Sequence, residues 1–193
     1  MMDEKQIEKM REQMEAMKRA SMNAGTMLGL YYVLKFCLFP LGLRSGLLSL
    51  AFIVLTVLVP VVAYKVMKRS RLSMDAPMEL TVVGAWTFAM RMFFFASLLA
   101  AVAHYVYFAF IDGGSLLQAL NDNLNQMAAL PMEGVAGWQA QLDTFRETFD
   151  SVATLTPIQI TMELFVNNLF WGCILGLPIA VIAANKSANK NHQ

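Results

Sequence analysis

Apolar and polar positions fall into long blocks along this chain, with a helical period inside the polar blocks and almost none inside the apolar ones. The longest uncharged block is Met92–Ile111 (MFFFASLLAAVAHYVYFAFI), the core of a stretch Val82–Ile111, in which only Ser97 and His104 are clearly polar. Twenty residues at about 1.5 Å each cross a hydrocarbon layer of roughly 30 Å as a helix. Leu47–Tyr64 adds eighteen residues without a charge, Met22–Leu41 carries only Lys35, and Ile158–Ala184 carries only Glu163 beside Asn167 and Asn168. The pattern predicts an all-α polytopic membrane protein with four transmembrane helices, at about 22–41, 47–64, 82–111 and 158–184. Pro40 and Gly42 close the first span, and Pro60 and Pro178 sit near one end of the second and fourth. The third helix is expected to start near Met78, with Asp75 as its cap and Pro77 in its first turn.

The polar blocks have helical patterns of their own. In residues 1–21, Ile7, Met10, Met14 and Met17 recur at spacings of three and four, which predicts an amphipathic cytoplasmic helix on the membrane surface. Glu8 with Arg11, and Glu15 with Arg19, are spaced to pair along it. In residues 112–157, Leu117, Leu120, Leu124 and Met127 form one stripe, and Trp138, Leu142, Phe145, Phe149 and Val152 form another. Pro131, Gly134 and Gly137 separate them. This predicts an extracytoplasmic amphipathic helical hairpin between spans three and four, with Trp138, Phe145 and Phe149 as its contact residues. Ser115 and Gln118 suggest a capping box at its start; Thr156, Pro157 and Gln159 mark the start of the last span. Residues 185–193 read as a disordered polar tail.

Charge gives the orientation. Eleven basic residues lie in the N-terminal arm, the second loop and the tail, whereas the first and third loops hold only Arg44 and Arg146. The excess of basic residues predicts both termini inside, in a bacterial inner membrane, with Lys65, Lys68, Arg69, Arg71 and Arg91 along the inner surface. Charged residues are 15% of the 193, against about 25% in soluble domains, and the net charge of +1 leaves no field to attract nucleic acid. Cys37 and Cys173 fall inside apolar runs at different depths, which argues against a disulfide.

Two features invite a structural role and one a chemical role. Gly25/Gly29 and Gly172/Gly176 are small-residue pairs at a spacing that lets another helix approach closely. Lys35, His104 and Glu163, with Asn167 one turn further, come from three spans at one depth, roughly 8–10 Å below the outer boundary. Such a polar cluster fits a proton relay or an anionic-headgroup site; the stronger reading is simple pairing or snorkelling of Lys35 and Glu163, with His104 neutral and packed. No nucleotide, metalloprotease, hydrolase or dithiol motif is present, so no catalytic residue, metal ligand or cofactor is expected. The fifteen methionines are spread over every block and read as adaptable packing.

Four spans, a very short first loop, a basic second loop and a hairpin before the last span resemble the domain-of-unknown-function family 4199, small inner-membrane proteins of Bacteroidota. Ala24-Gly25-x-x-x-Gly29, the Tyr105–Asp112 exit of span three (YVYFAFID) and Gly172–Pro178 carry the resemblance. The chain departs from the family before span three, reading Thr81-Val82-Val83-Gly84-Ala85 where a glycine, a Ser/Thr and Gly-Gln-Ala are usual. The resemblance implies a fold and an address but no activity. An amphipathic element on each side of the membrane, two small-residue faces and no reaction motif make the expected role a non-catalytic accessory or assembly subunit of a membrane complex, with membrane lipids and a protein partner or a second copy as its contacts. The alternative is a small transporter or lipid-headgroup-binding protein that uses the polar cluster.

Overall fold

The computed structural model describes residues 3–72, 81–129 and 137–188. Six helices follow one another: α1 (Glu4–Gly42), α2 (Gly46–Leu72), α3 (Val82–Val106, prolonged by a wider π-type turn over Tyr107–Ile111), α4 (Ser115–Ala128), α5 (Trp138–Ala153) and α6 (Pro157–Ala188). Four of them (α1, α2, α3 with its prolongation, and α6) are long and apolar enough to cross a membrane. Along their hydrocarbon-length parts the outward faces of these four are largely apolar, as with Leu50, Ile53, Val57 and Val61 on α2 and Met162, Val166 and Phe170 on α6. A belt of that extent is stable against lipid and costly against water. The protein is a polytopic, all-helical membrane protein.

Helix α3 is the centre of the bundle. Helix α1 runs along one side of it and α6 along another, while α2 packs mainly on α1 and touches α6. The side chains that α3 buries, among them Ala85, Phe88, Ala89, Met92, Phe93, Ala96 and Ala100, mix small with large. The small positions admit neighbouring backbones and the large ones fill the space between. The core runs on past the hydrocarbon-length blocks, away from α4 and α5, through Met17 and Ala20 of α1, Met67 of α2, and Ile179 and Ala183 of α6.

That extension corrects the reading of residues 1–21. They do not form a separate surface helix, because α1 is one unbroken helix of 39 residues, about 58 Å long. Nothing near Ala20 stops it: Ser21 spends its hydroxyl on the Lys18 carbonyl (2.8 Å) and does not cap a new helix. Of the two charge pairs read along this arm, Glu15 and Arg19 meet at 3.7 Å on an exposed surface.

Other boundaries shift for local reasons. Helix α3 begins at Val82, where the Thr81 hydroxyl accepts the Gly84 amide at 3.1 Å; Asp75, Pro77 and Met78 lie outside the described residues. At the start of α4 the Ser115–Gln118 capping box does not form, and Asp112 takes its place. Helix α6 keeps half of its predicted box, with Gln159 Oε1 accepting both the Thr156 amide (2.8 Å) and the Thr156 hydroxyl (2.7 Å). It then continues to Ala188, four residues into the expected tail. Helices α4 and α5 touch each other. Leu142, 1% exposed, is the residue α5 buries, while Phe145 is exposed and Trp138 and Phe149 are half-buried.

Candidate functional site

The two glycine pairs grip α3 from different sides. A Cβ at Gly25 would stand 2.6 Å from the Phe95 Cβ and 2.8 Å from the Met92 carbonyl oxygen, and one at Gly29 3.0 Å from Leu99. A Cβ at Gly172 would stand 2.7 Å from the Phe93 Cβ, whereas one at Gly176 meets nothing closer than 3.5 Å. Gly25 and Gly172 thus bring helices closer than a Cβ allows and Gly29 leaves one only a tight fit, which is how helices attract one another where lipid removes the hydrophobic drive.

The expected polar cluster assembles only in part: Lys35 and His104 lie within electrostatic reach of each other, and Glu163 does not join them. Helix α3 stands between α1 and α6, which scarcely touch, so Lys35 and Glu163 cannot meet. The Lys35 ammonium lies 5.3 Å from the Tyr32 ring centroid and 5.8 Å from that of Phe52, so ring faces, not a carboxylate, attract it. Glu163 and Asn167 are exposed on α6, and Glu163 forms no ion pair with another described residue. Glu163 lies about 9 Å from the start of its helix, within reach of the interface by snorkelling. His104 is 5% exposed, edge-on to Phe36 with centroids 4.1 Å apart, and its Nδ1 has no hydrogen-bond partner among the described residues. Equal depth was legible in the sequence; the rotation of each helix was not.

The basic residues expected along the inner surface have the following exposures where they are described. Lys65, Lys68 and Arg69 are exposed on the last turns of α2, and Arg91 is half-buried on α3; the side chain of Arg71 lies outside the described residues. Cys37 and Cys173 are both free. Among the described residues no group of three or more His, Cys, Asp or Glu side chains could hold a metal.

A site the sequence reading missed lies at the hairpin end. Asp112, buried behind α3, closes the chain's exit: its Oδ1 accepts the Tyr107 hydroxyl (3.0 Å), the Ser115 hydroxyl (3.2 Å) and the Leu116 amide (2.9 Å), and its Oδ2 accepts the Gly114 amide (3.1 Å). Gly114, at φ +85°, makes the turn into α4 that a side chain would strain. The π-type turn is closed by the Asp112 amide on the Tyr107 carbonyl at 2.9 Å. Asn123 then donates to the Leu43 carbonyl at 3.3 Å, tying α4 to the α1–α2 loop. Under this roof is a cavity of about 360 Å³ walled by Val33, Phe36, Cys37, Pro40, Ala103, Tyr107, Ile111 and Leu116, with Arg44 at its edge. A second, polar chamber of about 410 Å³ adjoins it, walled by Arg44, Gln118, Asp122, Asn123 and Gln126. The walls share Leu43, Arg44, Ser115 and Ala119. The D-G-G-S turn at 112–115 was the one sequence signal that pointed here.

Comparison with known proteins adds one family. No curated protein and no solved structure matches the chain. A family model described as "Protein of unknown function (DUF4199)" matches residues 23–185, from the start of the first span to the end of the last. The glycine grip of α1 and α6 on α3 and the α3 exit that carried the resemblance all lie inside that match, and the chain belongs to this DUF4199 family.

Proposed function

We propose that this protein is a non-catalytic accessory or assembly subunit of a complex in the bacterial inner membrane, with both termini cytoplasmic. The observation that carries this reading is the continuity of α1. Because the arm prolongs a span, it stands off the bilayer and cannot lie on it, and its stripe of Ile7, Met10 and Met14 stays 40%, 48% and 57% exposed. Five basic and five acidic residues flank that stripe. Mixed charge suits another helix better than an anionic lipid surface, which attracts a basic excess. The glycine contacts hold α1 and α6 closely against α3, which gives the arm a packed base.

The test is purification of the full chain in mild detergent, beside a variant carrying Ile7→Ser, Met10→Ser and Met14→Ser. A second protein held in fixed ratio by the natural chain and released by the variant, with the thermal unfolding of the bundle unchanged, is the expected result. Self-association abolished by the same substitutions replaces the partner with a second copy. Identical composition of the two preparations overturns the reading.

The orientation rests on the distribution of basic residues, eleven on the side of the termini against two on the hairpin side. With Cys37 and Cys173 replaced by serine, Asn125→Cys is expected to react with an impermeant maleimide added to intact spheroplasts. Reaction of Arg69→Cys instead reverses the orientation.

A further inference from the structure

We propose that the two chambers beneath α4 hold one phospholipid with a phosphoethanolamine headgroup, drawn from the leaflet on the hairpin side. This inference rests on the membrane fold alone and is independent of the accessory-subunit reading.

The site is a half-open cleft bounded by elements that are tied to one another. Its roof is fastened at one end by the buried Asp112 carboxylate and at the other by Asn123 on the Leu43 carbonyl. Its two chambers differ in chemistry along the membrane normal. The apolar one is set between α1 and α3 at the level of Val33, Phe36 and Ala103, inside the hydrocarbon-length blocks. The polar one begins at Arg44, in the loop that follows α1, where headgroups lie. A free solute would use only the second chamber; an amphiphile uses both.

Charge selects the headgroup. Arg44 and Asp122 wall the same polar chamber, yet they form no ion pair with each other or with any other described residue. A phosphodiester suits the guanidinium, whose fork of donors matches two phosphate oxygens. The ammonium on the same headgroup suits the Asp122 carboxylate. The amides of Gln118, Asn123 and Gln126 supply neutral donors and acceptors between them. A headgroup that is only anionic leaves Asp122 as a repelling charge, so zwitterionic phosphoethanolamine is preferred over phosphoglycerol.

The experiment is native mass spectrometry of the full chain, delipidated in detergent and titrated with dioleoylphosphatidylethanolamine, dioleoylphosphatidylglycerol or soluble glycerophosphoethanolamine. The natural chain is expected to retain the ethanolamine lipid roughly tenfold more tightly than the glycerol lipid, the size of one charge-assisted contact. Arg44→Gln is expected to weaken both lipids by about the same factor, and Asp122→Asn to remove the preference between them. Ala103→Phe, which fills the apolar chamber, weakens both lipids and spares the preference. Arg44 and Asp122 are exposed, so unfolding temperatures should not move and loss of binding is not loss of fold. Equal retention of the two lipids by the natural chain overturns the headgroup assignment. Soluble glycerophosphoethanolamine binding as tightly as the lipid overturns the acyl-chain assignment. Variants that bind like the natural chain overturn the site.

Discussion

Gly25→Ala is expected to destabilise the bundle by about 2–3 kcal/mol, at the upper end for an overpacked helix contact. The added methyl would meet the Phe95 Cβ at 2.6 Å and the Met92 carbonyl oxygen at 2.8 Å. Neither is the end of a flexible chain: one atom is fixed to the α3 backbone and the other belongs to it. Relief therefore requires α1 and α3 to separate along their length. Gly172→Ala faces the same problem at Phe93, whose ring is fully buried and has nowhere to turn. Gly176→Ala is the internal control. Its methyl meets Ala89 at 3.5 Å, an ordinary contact, and alanine's better helix propensity makes the change neutral or stabilising by up to about 1 kcal/mol. Thermal unfolding in detergent, followed by circular dichroism, separates these cases. Equal unfolding temperatures for Gly25→Ala and Gly176→Ala would show that the close approach of α1 to α3 is not what holds the bundle.

The second large effect belongs to Asp112→Ala. Four donors converge on this buried carboxylate from Tyr107, Gly114, Ser115 and Leu116. Hydrogen bonds to a charged group contribute about 1.5–3 kcal/mol each, but they share one acceptor and are not additive, so a local loss of about 3–4 kcal/mol is expected. The consequence should be confined to the hairpin end. The first turn of α4 frays and the roof of the cavity lifts, while the gripped half of α3 stays folded. Hydrogen exchange reports this directly: α4 amides should lose protection and those around Phe88–Ala96 should keep it. Asp112→Asn retains one acceptor oxygen and should fall between the two. Unchanged exchange in α4 would mean that the Asn123 tie to α1–α2, and not Asp112, fastens the roof.

These expectations differ in how far the chain itself announced them. The glycines were legible because a four-residue spacing of small residues is a property of one helix's surface. The Asp112 site was not, since its partners come from a π-type turn, a left-handed glycine and the start of α4 together. Asp112 looked like one acid among the six of residues 112–157. Glu163 stands apart from Lys35 and His104 for the complementary reason. Counting residues from the span ends measures depth along the membrane normal and says nothing about azimuth, so three groups at one level ended up near two rings, beside Phe36 and on the exposed face of α6.

By itself the sequence determined the solvent, the number of crossings and the surfaces by which they attract, because each depends on runs and spacings within a single helix. Uninterrupted apolar blocks have no stable place but lipid, and small residues one turn apart make a groove wherever that helix goes. Only the tertiary structure decided which helix is central, how far α1 continues, and which polar groups share a cavity. Those depend on the rotation and order of helices around α3. That arrangement is set by the mutual fit of Gly25, Gly29 and Gly172 with Phe93, Phe95 and Leu99, a property of pairs of surfaces that no single stretch of chain contains.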